Sequence, residues 1–427
     1  MCIRDRNNTG LIQARTLENH GGVISLLGDM QSGQVNVGGT LDASAPTGGN
    51  GGFIETSAAT VKVAGDAKVT TLAPTGKTGT WLIDPQDYTV AASGGDITGA
   101  ALGTNLGSTN VILQSSAGAS TGAGNVNVND AVSWSANTTL TLTAANNVNV
   151  NAPVTATGST AGLAINPNTA NGSEAASGTG TFILGAGAAI NLPNVSPSST
   201  TALVIGGTPY TVLNSLGAEG STTGTDLQGM NGNLSGHYAL GSSIDATATS
   251  GWNTGAGFMP VGNNATPFNG TLDGLGHAIS NLTINRPATD DAGLIGTTGS
   301  AGTVKNLGLL DGSVTGLDYV GGLVGYNQGI VSNSYTTGTV SGGNLGAGGL
   351  AGYNGGTVSN SYATGAVSGA NRVGGLVGTN NAGTVDSSYA IGTVSGTSEV
   401  GGLVGNNDLG TISNSYAAGA VLSLIHI

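Results

Sequence analysis

Cysteine is all but missing: Cys2 is the single one in 427 residues. That excludes a disulfide framework and any site built on several thiolates. Charge is thin as well, at 7% of residues, with 9 Lys and Arg against 22 Asp and Glu. No Lys or Arg stands between Lys77 and Arg286. A nucleic-acid surface needs clustered cations to neutralise phosphates, so that class of partner is excluded. No run of about 18 apolar residues occurs, and no integral membrane segment in helical form is expected. Aromatics make up 4% of the chain. A chain this poor in charge and rings has to hide its Val, Ile and Leu by a regular, thin scheme, such as stacked β-rungs.

What is abundant is glycine, with 78 residues, and it is arranged. Gly321-Gly322-Leu323-Val324-Gly325 returns at 348–352, 374–378 and 401–405, and a degenerate copy starts at Ala292. Val331-Ser332-Asn333-Ser334-Tyr335 returns in blocks that end at Tyr362, Tyr389 and Tyr416, evenly spaced along the chain. Val340-Ser341-Gly342 follows and recurs at 367–369 and 394–396. Self-similarity at this period means a stacked array. Alternation within each block, with Gly every five or so residues and no apolar stripe of helical period, selects strands over helices. Each unit reads as two or three short strands joined by tight turns. One unit cannot bury its inner face alone, but units stacked at about 4.8 Å form a continuous core.

Stacking sets equivalent residues above one another. Leu323, Leu350, Leu376 and Leu403 are expected to form an inner aliphatic column. Tyr335, Tyr362, Tyr389 and Tyr416 are expected to form a stacked aromatic one, read as core in preference to a sugar platform. Asn333, Asn360 and Asn414, with Ser387 between them, are expected to form an amide ladder. Upstream the grammar is looser but similar: Gln34–Val37, Thr60–Val63, Thr139–Thr143 and Asn147–Val150 alternate between glycines. Between about 206 and 265 the rhythm weakens, and Trp252, Phe258, Met259 and Phe268 cluster.

The two ends carry a different signal. Leu422–Ile427 and Met1–Asp5 can be encoded by one oligonucleotide read on opposite strands, and that oligonucleotide resembles a transposase adapter from sequencing libraries. Residues 1–6 and 422–427 are accordingly expected to be foreign ends. Setting them aside removes Cys2, Arg4, Arg6 and Asp5, leaving 7 cations (9 minus 2) and 21 anions (22 minus 1), a net charge of −14.

The repeat unit resembles the GLUG motif, on Gly322-Leu323-Val324-Gly325 and its copies. The segment Phe268–His277 with Ile279–Leu282 is similar to the lead-in of such repeats. Gly79-Thr80-Trp81-Leu82-Ile83-Asp84-Pro85 with Tyr88–Val90, and Gly51–Ser57, resemble stretches of filamentous-haemagglutinin-like exoproteins. The resemblance implies an all-β fold, a right-handed parallel β-helix of stacked Gly-rich repeats. It implies export to the bacterial cell surface by two-partner secretion through an outer-membrane β-barrel transporter, and display as an adhesin. On this reading residues 7–205 are a haemagglutinin-like β-helix, 206–265 an irregular junction and 266–421 a GLUG-repeat β-solenoid. The amino-terminal secretion domain of such exoproteins is not visible here, so the export route is implied by resemblance alone.

Chemistry is sparse. His20, His237 and His277 are isolated, without zinc-site spacing, and no nucleophile elbow or phosphate loop occurs. Glycoside hydrolysis needs two carboxylates about 5–9.5 Å apart. Asp84 with Asp87 and Asp290 with Asp291 are the tight acidic pairs in the sequence; both read as turns. No catalytic, cofactor-binding or metal site is expected. The expected role is a non-enzymatic surface filament with a host-cell, bacterial or matrix ligand. Two alternatives are a carbohydrate-active β-helix enzyme, which predicts acids gathered on one face, and a stalk for an activity encoded elsewhere.

Overall fold

The computed structural model describes residues 5–8, 11–13, 22–116, 122–169, 178–195 and 202–423, with backbone alone for the first two stretches. The chain divides into two compact units, Met1–Tyr210 and Thr211–Ile427. Each is a β-solenoid whose strands pair in parallel with their counterparts one turn away.

In the first unit the longest sheet runs through Val23–Leu27, Phe53–Ser57, Thr80–Asp84, Asn110–Ser115, Thr139–Ala144, Gly162–Asn166 and Leu203–Ile205. Thr208–Pro209 closes it antiparallel. Alternation points every second residue inward, and Ile54, Trp81, Val111, Leu140, Leu163 and Leu203 form one column, each at most 1% exposed. The Trp81 indole N–H, which could not be left unpaired inside, donates to Thr56 Oγ1 at 3.1 Å. Turn length is irregular along this sheet: the step from Leu140 to its partner Leu163 is little more than half the step from Leu163 to Leu203.

One irregularity is a helix, α1 (Gly99–Leu106), in a chain read as all strand. The Thr98 hydroxyl caps it by accepting from Ala101 N at 3.2 Å. It sits where a strand would otherwise continue the stack. On one side Asn105 Oδ1 accepts from Val69 N at 2.7 Å and its Nδ2 donates to Ala67 O at 3.2 Å, pairing the edge of strand Lys68–Thr70. On the other side Gly99 and Gly103 lie so close to the next turn that a Cβ would meet Ala131 O at 2.0 Å and Ser133 O at 2.2 Å. Local pattern does not reveal it because its buried apolar side chains are only Ala101, Leu102 and Leu106.

The second unit has five sheets, of eight, seven, six, five and four strands. A repeat therefore contributes five short strands, not two or three: Ile330–Ser332, Tyr335–Thr336, Thr339–Gly342, Leu345–Gly348 and Ala351–Asn354 make one turn. In the eight-stranded sheet the partners Thr303, Ile330, Thr357, Thr384 and Thr411 follow one another at a constant step. Elsewhere one turn falls a single position short of that step. Leu345 pairs Asn371 and Asn354 pairs Asn380, and the lost position is regained before Thr384.

Leu323, Leu350 and Leu376 are fully buried and Leu403 partly so. Each fully buried leucine contributes roughly 1.5–3 kcal/mol by leaving water. The glycines around them are required by thinness. A Cβ on Gly348 would meet Ala351 O at 2.0 Å, on Gly349 the Ala363 Cβ at 2.6 Å, and on Gly352 the Tyr319 carbonyl carbon at 2.2 Å. Opposite sheets touch across Gly349, which is why the facing column shrinks from Leu309 through Thr336 to Ala363 and Ala390.

Candidate functional site

One backbone conformation decides what the second unit shows to solvent. Asn306, Asn333, Asn360, Ser387 and Asn414 all lie at φ between 48° and 53°. Asn tolerates this left-handed region better than other residues with a Cβ. The residue breaks the alternation and restarts it. Val331 points inward; after Asn333, Ser334 is inward at 1% exposure and Tyr335 is only half-buried. An unbroken strand would have carried Tyr335 inside with Val331. The tyrosine column is thus a surface feature rather than core.

Tyr335, Tyr362, Tyr389 and Tyr416 stack with centroids 4.9, 4.8 and 5.1 Å apart and planes within 8°. The rings lean back over the preceding turn like shingles: a Cβ on Gly308, one turn before Tyr335, would meet the Tyr335 Cζ at 2.5 Å. Burial, followed by the neighbouring Tyr335 and Tyr389, pushes the Tyr362 hydroxyl above its ordinary pKa. Two columns flank the rings: Asn333, Asn360, Ser387 and Asn414, all exposed, and Ser332, Ser359, Asp386 and Ser413, half-buried. Asn333 Nδ2 donates to Asn306 Oδ1 at 3.3 Å and Asn414 Nδ2 to Asp386 Oδ1 at 2.9 Å. Their role is the turn.

The continuous buried amide ladder runs through other residues. Asn327 Nδ2 donates to Asn354 Oδ1 at 2.8 Å, Asn354 to Asn380 at 2.8 Å and Asn380 to Asn407 at 2.7 Å. The first three are fully buried. A serine ladder lies beneath the tyrosines, where Ser361 and Ser388 Oγ accept from Ser334 N and Ser361 N at 3.1 Å. Sequence reasoning passed over Asn327, Asn354, Asn380 and Asn407, although they recur in step with the motif, because the residue before each changes from Tyr to Thr to Asn.

At another corner Tyr326 and Tyr353 stack at 4.1 Å, with Tyr319 edge-on to both. Burial, with help from Tyr326, pushes the Tyr353 hydroxyl up to about 12. In the same unit Asp291 is pushed up to about 6, chiefly by burial; a hydrogen bond from Thr297 opposes the shift, and the charges of Asp290 and Asp318 add to it.

Of the acids read as turns, Asp84 and Asp87 are engaged in hydrogen bonds, Asp84 with side chains and Asp87 with backbone. Asp84 accepts from Gln114 Nε2 at 3.2 Å and Ser116 Oγ at 3.0 Å, and Asp87 from the amides of Ala123 and Asn125 at 3.0 and 2.8 Å. In the second unit Asp273 is fully buried beside Lys305 at 3.3 Å and accepts from Leu275 N, while Asp290 is exposed. Among the described residues no group of three His, Cys, Asp or Glu could hold a metal ion, and no helix is long and apolar enough to cross a membrane. His20 lies outside the described residues.

Comparison with known proteins places this geometry. Halomucin of Haloquadratum walsbyi is 45% identical over 123 residues, 27% of this chain and 1% of halomucin. A Gly-rich membrane protein of Evansella cellulosilytica, provisionally assigned, is 38% identical over 100 residues, 23% of this chain and 12% of that protein. The chain thus spans a small part of the length of these curated relatives. A solved structure, provisionally assigned as an immunoglobulin A1 protease from Bacteroides ovatus, aligns over 46% of this chain and 65% of its own at 24% identity and a TM-score of 0.37. The family model described as the GLUG motif matches residues 316–341, 343–368 and 396–422. The shortened copy around Leu376 lies between the matches but keeps register with both neighbours. The second unit is a β-solenoid whose stretch 316–422 carries GLUG-motif repeats.

Proposed function

We propose that this chain is a segment of a bacterial surface adhesin of the filamentous-haemagglutinin-like kind, exported through an outer-membrane β-barrel transporter. Residues 7–205 and 266–421 are its haemagglutinin-like and GLUG-repeat stretches, and 206–265 the less regular part between them, whose strands Thr211–Leu213, His237–Leu240 and Ile244–Asp245 already pair within the second unit. The observation that carries this reading is the lateral face of the second unit, where a tyrosine column repeats turn after turn, flanked by an asparagine column that Ser387 interrupts and a serine column that Asp386 interrupts. Such a face multiplies one weak contact by the number of turns it presents. The names of the relatives, a mucin and a membrane protein, agree with a place at the cell surface. The role is adhesive and non-enzymatic, and the ligand belongs to a cell or matrix surface. The test is binding of the purified chain to bacterial cells, host cells, matrix proteins and glycan arrays. Saturable attachment to at least one of them is expected; attachment to none overturns the adhesin reading.

A further inference from the structure

We infer that the tyrosine face of the second unit binds an extended, neutral, β-1,4-linked polysaccharide lying along the solenoid axis, one sugar per turn. The inference deepens the adhesin reading and rests on it. Three observations lead to it. The first is spacing. The four rings repeat every 4.8–5.1 Å, and a flat β-1,4-linked glycan advances by about one strand spacing per sugar. A chain laid along the column keeps pace with the turns, so each pyranose ring meets an equivalent tyrosine. An α-linked glucan coils and loses step after a sugar or two.

The second is shape. Tyr335, Tyr362 and Tyr389 are half-buried and Tyr416, on the last turn, is exposed; stacked in parallel, the rings present a tilted, nearly continuous aromatic strip. The C–H faces of a pyranose ring lie well on such a surface, whereas a protein segment with protruding side chains does not. The third is the chemistry of the flanks. Exposed Asn333 and Asn360 and half-buried Ser332 and Ser359 supply amide and hydroxyl groups at the same period. Hydroxyl-rich, uncharged ligands match that set. A polyanion does not: the flanking columns contain Asp386 and no cation beyond Lys305, which is held by buried Asp273.

The face is also unlike one made for a second copy of this chain. Before its last turn, where Leu409, Ile412, Tyr416 and Val421 are exposed, its exposed apolar residues Ile330 and Ile391 belong to different columns, so no broad apolar patch runs along the face for self-association.

The experiment uses the full chain with cello- and chito-oligosaccharides of two to six sugars, measured by calorimetry, and with amylose and heparin as controls. Affinity for the β-linked series is expected to rise at least tenfold from two sugars to four and then level off, because four tyrosines line the column. Amylose and heparin are expected to bind at least tenfold more weakly. The double variant Tyr362→Leu, Tyr389→Leu is expected to lose at least tenfold in affinity, with an unchanged circular dichroism spectrum. The variant Tyr362→Phe, Tyr389→Phe keeps the rings and is expected to stay within threefold of the natural chain. No binding of the β-linked series, equal binding of amylose, or a Leu variant that binds normally each overturns the inference. Attachment to cells, measured in parallel, separates the two readings: a Leu variant that still attaches to cells overturns the glycan inference and leaves the adhesin reading standing.

Discussion

The two units solve one packing problem with different degrees of repetition. In the first, the turn from Leu140 to Leu163 is little more than half as long as the turn from Leu163 to Leu203. In the second, the turn keeps one length over the last four pairings of the longest sheet, from Thr303 to Thr411. Variable turns still align backbone and aliphatic side chains, because any inward Val, Ile or Leu will stack on another. They seldom align polar side chains over more than two turns. Asn149 donates to Asn127 at 2.8 Å and Asn151 to Asn129 at 2.8 Å, both half-buried or exposed. Fixed turns bring the same polar atom above itself repeatedly, which is what lets Asn327, Asn354 and Asn380 be buried at no cost in unmet hydrogen bonds.

The comparison can be broken most severely at a glycine. Gly349→Val places a side chain against Gly375 O and Ala363 Cβ, 2.3 and 2.6 Å from its Cβ. A loss of roughly 3 kcal/mol or more is expected, since the thin core cannot move apart. Gly65→Ala in the first unit, where a Cβ meets nothing within 4 Å, is expected to leave the thermal melt unchanged. Equal melts for the two variants would mean that the second unit is not confined as described.

The next largest effect is at the ladder. Asn354→Ala removes the acceptor of Asn327, which keeps only longer contacts to Gly329 O and Thr357 O, and the donor to the buried Asn380 oxygen. A cost of about 2–3 kcal/mol is expected in chemical denaturation. Asn149→Ala, in a half-buried pair of the first unit, is expected to cost about 0.5 kcal/mol. If the two variants lose the same amount, burial of the ladder is not what distinguishes the units.

The smallest effect is a pH dependence peculiar to the second unit. The Asp291 carboxyl is raised in the folded state to about 6, from an ordinary 3.8. The folded state therefore binds more protons than the unfolded one between these values, and stability falls as pH rises from about 4 to 6. With solvent screening taken into account, the slope sums to roughly 1 kcal/mol. Asp291→Asn is expected to flatten it and to raise the melting temperature at neutral pH. A variant melting lower at pH 7, with the slope intact, would remove Asp291 as its source.

How much of this was legible follows from the same contrast. Recurrence of Gly-Gly-Leu announces the period and the stacked parallel strands, because identity at fixed spacing needs no knowledge of conformation. The strands at Gln34–Val37, Thr60–Val63 and Thr139–Ala144 could be read from alternation alone. What alternation hides is a break in its own phase. Val331, Asn333 and Tyr335 look like one face of one strand, but Asn333 at φ 49° turns the chain and sends Tyr335 outward. Asn is common in strands and in turns of such sequences, so its type did not give the turn away. Helix α1 was hidden for a different reason: its short run with only three inward apolar side chains leaves too little pattern, and its place is set by the strand edges it covers.

The one-position shortening between Leu345 and Asn371, repaired by Thr384, bears on how such a chain changes over generations. Slack is confined to corners, while every column passes through undisturbed. A gene made of such units can lose or gain a whole unit by misaligned recombination, and the protein joins at the new seam as it did at the old. Length then becomes a heritable dial, set by copy number and independent of the fold.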